Sequence, residues 1–322
     1  MNVLSLFDGM SCGQIALNRA GININSYYAS ELDKYAIQVT QANWPETVQL
    51  GDVLKWKEWN IDWSSIDLLI GGSPCQGFSY AGEQLGFDDP RSRLFFVYVD
   101  ILNHIKTVNP KIKFMLENVK MKQEWLDIIT GFLGVEPVFI NSCSVSAQNR
   151  QRYYWCNWYV EQPEIVGIIL SDVLETGIVN REKAYALTAR YYKAGSFDRY
   201  TRKSSDQLIF ELYGLSETCI AKFNRYGVRF LTENTKVAKT LTAGDYGKLG
   251  KYGNYLQSLK CETQIRKLTP VECERLQTVP DDYTNHVSNS QRYRMLGNGW
   301  TVDVVVDLFK YMMIDRIMEC LK

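Results

Sequence analysis

The first half of this chain alternates short β-rich runs with amphipathic helical stretches, a pattern that folds as a parallel sheet with helices on both faces. Residues 2–7, 26–29, 66–70, 113–116, 137–141 and 153–158 read as strands, with amphipathic helical stretches such as 13–20, 34–43 and 94–108 between them. From about 160 to 265 the regularity breaks down, and Gly, Asn and Ser punctuate brief runs that suit a separate, loop-rich lobe. Helical patterning returns at 269–277, where Thr269 before Pro270 supplies an N-cap and a first turn. The last helix runs from 301 to 321. A length of 322 residues accommodates one large α/β domain and a smaller lobe. The expected fold is therefore α/β and Rossmann-like, built on a mostly parallel, twisted sheet.

Several classes are excluded early. The chain opens on a strand-like run, not on a basic and apolar leader. The most apolar stretch, 302–317, is interrupted by Asp303, Asp307 and Asp315, so no membrane span is expected. The 8 cysteines follow no repeating spacing, no Cys-x-x-Cys occurs, and the 2 histidines are His104 and His286. No metal site is expected, and the chain reads as a reduced, cytoplasmic protein. The net charge of +0 hides an asymmetry. Residues 181–260 hold 15 Lys/Arg against 7 Asp/Glu, together with nine tyrosines, several beside cations as in Arg190-Tyr191-Tyr192-Lys193. Such interleaving suits phosphates and bases, and it equally suits the solvated face of a small lobe.

The chemistry-bearing residues gather at strand ends. Gly71-Gly72-Ser73-Pro74-Cys75-Gln76-Gly77-Phe78-Ser79 follows the strand at 66–70, and open α/β sheets place reactive groups just past such ends. Cys75 is a nucleophile if its surroundings favour the thiolate, and a small buried hydrophobe otherwise. Phe7-Asp8-Gly9-Met10-Ser11-Cys12-Gly13 turns from the first strand into the first helix, where a cofactor can approach backbone amides. Glu31, just beyond the second strand, is placed to accept from ribose hydroxyls, and Asp52 from an adenine amino group; either aspartate, Asp33 or Asp52, serves equally as an N-cap. Glu117 ends another strand as a candidate acid. Arg150 and Arg152, two apart on an extended segment, are expected on the same side. Residues 294–302 read as a glycine turn opening the last helix.

With these segments in this order, the chain resembles the DNA (cytosine-5-)-methyltransferases over its whole length. The matching motifs are the turn at Phe7–Gly13, Pro74-Cys75-Gln76, Glu117-Asn118-Val119, Gln148-x-Arg150-x-Arg152, Arg266-Lys267-Leu268-Thr269-Pro270 and Gly297-Asn298. The resemblance implies an AdoMet-dependent methyltransferase fold. Its catalytic domain comprises 1–159 and 266–322, with the last helix packing back on the N-terminal part; its target-recognition domain is 160–265. It implies methyl transfer from S-adenosyl-L-methionine (AdoMet) to carbon 5 of a flipped-out cytosine in a short, specific sequence of double-stranded DNA. Cys75, Glu117, Arg152 and Arg150 would carry the chemistry. Phe7, Asp8, Gly9, Met10, Ser11, Glu31, Asp52, Val53, Asn298 and Trp300 would bind the cofactor. Gln76, Ser79, Arg91, Arg93 and Thr240 would touch DNA, although the two arginines fit a solvated surface as well. A monomer is implied, with a cognate restriction endonuclease as a candidate partner. Ala81 departs from a serine that enters the DNA in a bacterial relative, which leaves open how the gap behind the flipped base is filled. Three other readings compete with this one. An RNA cytosine methyltransferase shares this chemistry, but relatives acting on tRNA usually depart from Ser73-Pro74-Cys75-Gln76. A non-catalytic paralogue would lack the cysteine, the glutamate or the cofactor turn. A dinucleotide oxidoreductase needs Gly-x-Gly-x-x-Gly, which Asp8-Gly9-Met10-Ser11 does not supply.

Overall fold

The computed structural model describes residues 1–74, 93–179, 181–193, 208–213 and 262–320. Its centre is a seven-stranded sheet. In chain order its strands are β1 (Asn2–Leu6), β2 (Ser26–Ser30), β3 (Val48–Gln49), β4 (Leu68–Gly71), β5 (Lys113–Val119), β6 (Pro137–Asn141) and β8 (Gln151–Cys156), arranged β3-β2-β1-β4-β5-β8-β6. The first five neighbours pair in parallel, and β8 runs antiparallel to both β5 and β6. Strands buried on both faces need apolar side chains at every position, and β4, Leu68-Leu69-Ile70-Gly71, is buried throughout.

Alternate residues of these strands feed two cores. Val3, Leu68, Ile70 and Met115 face one side, with Ile15, Ala16 and Leu17 of α1 (Cys12–Arg19) and Val304, Val305, Leu308 and Phe309 of α7 (Val302–Cys320). Leu4, Leu6, Leu69, Phe114 and Leu116 face the other, against Phe95, Tyr98 and Leu102 of α3 (Arg93–Val108) and Trp125, Ile129 and Leu133 of α4 (Gln123–Leu133). α2 (Lys34–Asn43) follows β2 and is capped by Asp33, whose Oδ1 accepts from the Tyr35 amide at 2.9 Å. The expected helix at 269–277 is α5 (Pro270–Leu276). Thr269 Oγ1 accepts from the Glu272 amide at 3.1 Å, and the Glu272 carboxylate accepts from the Thr269 amide at 2.8 Å, a reciprocal cap.

Two elements depart from the expectation. α4 occupies a stretch assigned no element; β5 and β6 run in the same direction, so their connection needs a crossover. Residues 294–302 are not one turn: Gly297 and Asn298 end α6 (Asn289–Asn298), and the chain turns only at 299–301 before α7. The buried face of α6 includes Arg292, whose guanidinium lies 2.9 Å from the buried Glu274 carboxylate. A paired buried arginine reads as polar in the sequence and masks the helical period.

Two strand pairings involve the loop-rich region among the described residues. β7 (Gln148–Asn149) pairs in parallel with β9 (Ala184–Tyr185), and β10 (Leu208–Tyr213) pairs antiparallel with β11 (Glu262–Lys267), which straddles the expected 265/266 boundary. Gly297 meets the root of this region closely: a Cβ there would lie 2.2 Å from the Thr188 carbonyl carbon and 2.4 Å from the Ala189 nitrogen. Backbone cannot rotate away as a side chain can. Gly297→Ala is therefore expected to destabilise the protein by about 1–3 kcal/mol in urea unfolding. Gly131→Ala, in α4 with open space around it, is expected to stabilise by up to about 1 kcal/mol. Equal effects of the two substitutions would contradict this packing. No helix among the described residues is long and apolar enough to cross a membrane.

Candidate active site

The strand order reverses between β1 and β4, and crevices outside the carboxyl ends of strands at such a switch point are where open α/β sheets bind ligands. The turn after β1 is tightly wound: Phe7 (φ 58°), Gly9 (φ 60°) and Ser11 (φ 59°) are all left-handed. For the two non-glycine residues that conformation costs roughly 1–3 kcal/mol each, and it persists where surrounding contacts over-determine it. Those contacts are present. The Gly9 amide donates to Glu31 Oε2 at 2.8 Å, and Glu31 Oε1 accepts from the amides of Leu32 (2.7 Å) and Asp33 (2.8 Å). Tyr283 donates its hydroxyl to the Met10 carbonyl at 2.8 Å and is itself held by the Trp44 indole at 2.9 Å. Met10 is 1% exposed, so its side chain supports the turn from within.

Asp8 accepts from the Tyr27 hydroxyl at 2.8 Å and from Ser11 Oγ. Burial pushes its carboxyl up to about 6, against which hydrogen bonds from Ser11, Ser5 and Tyr27 pull down; the nearby Glu31 charge adds to the rise. Because the folded-state value lies above the ordinary 3.8, the associated stability is full below the ordinary value and is lost as pH rises through the folded one. The wild type is therefore expected to lose about 2 °C of melting temperature between pH 5 and 7 that Asp8→Asn does not lose. Parallel melting curves for the two proteins would contradict an ionised, desolvated Asp8.

Asp33 and Asp52 act as N-caps, Asp52 Oδ1 accepting from the Leu54 amide at 3.0 Å at the start of the short helix Val53–Glu58. Val53 is buried beneath it. Two residues that the motifs did not single out stand beside these carboxylates. Leu32 is 69% exposed and Leu54 63% exposed, apolar side chains in water on either flank of the crevice. Their one signal in the sequence is position, Leu32 directly after Glu31 and Leu54 two residues after Asp52.

At the other side of the switch point, β4 delivers Gly72, Ser73 and Pro74. Asn118 at the end of β5 donates to Ser73 Oγ at 3.2 Å and tethers this segment. Trp300 Nε1 and Glu117 Oε2 each lie 3.0 Å from where a Cβ on Gly72 would sit, so glycine there lets the indole and the carboxylate close over the strand end. Cys75, Gln76, Ser79, Ala81, Arg91 and Thr240 lie outside the described residues, as does most of the basic window. Arg93 begins α3 and is exposed, and Asn298 is exposed at the end of α6.

Glu117 is buried, and Arg152 Nε lies 2.7 Å from its Oε1. Register makes this pair. Glu117 stands opposite Tyr154 across the β5–β8 ladder, and Arg152 is two residues further along β8 on the same face, within diagonal reach. Arg150 does not share that arrangement as a neighbour on one strand. The extended segment breaks between β7 and β8, and Arg150, 3% exposed, donates to the carbonyls of Leu187 (3.0 Å), Gly297 (3.2 Å) and Gly299 (2.8 Å). Among the described residues no group of three or more His, Cys, Asp or Glu side chains is placed to hold a metal.

A mostly parallel sheet with one antiparallel insertion, a wound turn beside an acidic strand end, and a buried Glu–Arg pair at the switch point make an α/β fold with a candidate ligand crevice. The family model for C-5 cytosine-specific DNA methylases matches residues 1–124 and 139–313, and the chain belongs to that family. Similar proteins include the type II methyltransferase M.HhaI of Haemophilus parahaemolyticus, 29% identical over 95% of this chain and 92% of its own length. The type II methyltransferase M1.ScrFI of Lactococcus lactis subsp. cremoris is likewise 29% identical, over 94% of this chain and 75% of its own. Among solved structures, the Entamoeba histolytica methyltransferase EhMeth superposes with a TM-score of 0.66 at 16% identity, covering 98% of each chain, a likeness of fold.

Proposed function

We propose that this C-5 cytosine DNA methylase uses AdoMet to methylate a cytosine within one short sequence of double-stranded DNA, through a covalent bond to Cys75. The observation that carries the reading is the Glu117–Arg152 pair of 2.7 Å at a strand end, beside the segment that leads into Cys75. The crevice chemistry fits a nucleoside cofactor. Glu31 is oriented by three backbone amides, and among the described residues its Oε2 accepts from Gly9 alone, leaving room for a ribose hydroxyl. Leu32 and Leu54 offer exposed apolar surface to a flat base, and the free oxygen of Asp52 suits an amino group. Phe7, Gly9, Met10 and Ser11 would present backbone to the amino-acid end, with Asp8 below them and Val53, Asn298 and Trp300 around the rim. Bound there, AdoMet supplies the methyl group.

Carbon 5 of cytosine is a poor nucleophile, so the ring needs activation. The Cys75 thiolate adds to carbon 6, and the displaced electron pair gives carbon 5 the nucleophilicity for methyl transfer. Glu117 hydrogen-bonds or protonates ring nitrogen 3, and Arg152 holds the carbonyl oxygen at position 2, offsetting charge that develops on the ring. Loss of the carbon-5 proton then expels Cys75. The base reaches these groups only when flipped from the duplex, at a cost of a few kcal/mol. Gln76, Ser79, Arg91, Arg93 and Thr240 are the DNA contacts of this reading, with 160–265 as the target-recognition domain. It operates as a monomer in a reducing cytoplasm, where the free thiol persists, and a cognate restriction endonuclease is its candidate partner.

The test is bisulfite sequencing of plasmid DNA from a methylation-free host expressing the chain. Methylcytosine confined to one short motif supports the reading. Unmodified DNA from folded, AdoMet-binding protein overturns DNA as the substrate.

A further inference from the structure

We infer that Arg150 is a positioning residue that couples the root of the recognition lobe to the cofactor turn, so that DNA and cofactor strengthen each other's binding through it. The inference rests on the function proposed above. The three carbonyls held by this one guanidinium belong to three different segments: Leu187 in the root of the lobe, Gly297 at the end of α6, and Gly299 in the turn before α7. A planar fork with five donors can hold three carbonyls in one fixed arrangement; a lysine ammonium is a point charge on a flexible stem.

Each of the three segments leads onward to the site. At the root, Leu187 is bound a second time, its amide donating to Gln148 Oε1 at 3.3 Å, and Thr188 and Ala189 pack backbone-to-backbone on Gly297. At the turn, a Cβ on Gly299 would lie 3.0 Å from Met10 Cε and 3.1 Å from Cys12 Sγ, so residue 299 rests directly on the cofactor turn. One residue further, Trp300 packs on Gly13 and shares the space over Gly72 with the Glu117 carboxylate. A parallel link runs through buried amides. Gln148 donates to Gln277 Oε1 at 2.9 Å, Gln277 donates to the Leu296 carbonyl at 2.6 Å, and Thr301 Oγ1 donates to Gln277 Oε1 at 2.9 Å. A shift of the lobe's root on DNA therefore cannot leave residues 297–300 in place without stripping carbonyls from a buried cation, and leaving such a charge without partners is costly.

Reciprocity makes the consequence measurable: if DNA changes cofactor affinity by some factor, the cofactor changes DNA affinity by the same factor. The probes are S-adenosylhomocysteine, the demethylated cofactor, and a duplex carrying the motif that bisulfite mapping of wild-type DNA identifies. Calorimetric affinities for S-adenosylhomocysteine, with and without that duplex, define the coupling factor. For the wild type it is expected to be about tenfold, within the usual range. In Arg150→Met it is expected to fall to near one, and in Arg150→Lys, which can hold one or two carbonyls, to lie between. A merely structural role would weaken both affinities and leave their ratio unchanged. An unchanged factor in Arg150→Met, or a wild type whose factor is one, overturns the inference. If Arg150→Met does not fold, the Arg150→Lys ratio decides, a wild-type value overturning the inference. Absence of any methylated motif in the wild type is the separate failure of the proposed function.

Discussion

Cys75→Ala is expected to take methyl transfer below detection while leaving AdoMet affinity within a few-fold of wild type. The expectation follows from the division of the site across the switch point. The proposed cofactor half is the turn at residues 7–13 with Glu31 and Asp52, at the ends of β1, β2 and β3, and the hydrogen bonds shown for Asp8, Glu31 and Asp52 among the described residues stay within that half. The nucleophile's half is β4, whose last residues are secured to β5 through Ser73 and Asn118. Cys75 directly follows Pro74 in the sequence. In the proposed mechanism, removing the sulfur removes the bond to carbon 6 and with it the activation of carbon 5. Filter-bound transfer of labelled methyl groups to plasmid DNA reads the loss, and calorimetry reads the cofactor. Persistent turnover by the alanine variant would rule out covalent activation by Cys75.

Glu117→Gln is expected to slow single-turnover methyl transfer by about two to four orders of magnitude. The substitution keeps shape and one acceptor but removes both the negative charge and the capacity to deliver a proton. Its neighbour reports on the same change: Arg152 lies 2.7 Å from Glu117 Oε1 and would keep only a neutral partner. Rapid-quench kinetics with enzyme in excess over DNA separates this step from product release. A single-turnover rate close to wild type would take Glu117 out of the chemistry, and equal losses in Glu117→Gln and Arg152→Met would indicate that the pair acts as one unit.

Much of this site was legible one residue at a time. The turn at Phe7–Gly13, the acid at Glu31, the strand-end Glu117 and the cap at Thr269 are local patterns, governed by a few successive residues and their backbone geometry. Asp33 and Asp52 are both N-caps, bonded to the Tyr35 and Leu54 amides, and capping through Oδ1 leaves the cofactor role of Asp52 a proposal. Where the reading fell short, distant residues were involved. α6 was hidden because Arg292 is buried against Glu274. Leu32 and Leu54 carry no motif, and only their exposure beside the crevice draws notice.

The sequence by itself determined which residue types end which strands, and in what order, because those signals are short-range. The tertiary structure alone decided which of them meet. Placing β8 antiparallel between β5 and β6 sets Glu117 opposite Tyr154 and so brings Arg152, not Arg150, to the carboxylate. The break between β7 and β8 sends Arg150 to carbonyls more than a hundred residues apart in the chain. Strand order and register depend on side-chain packing across the whole sheet, and a slip of one residue would turn every side chain of β8 to the opposite face.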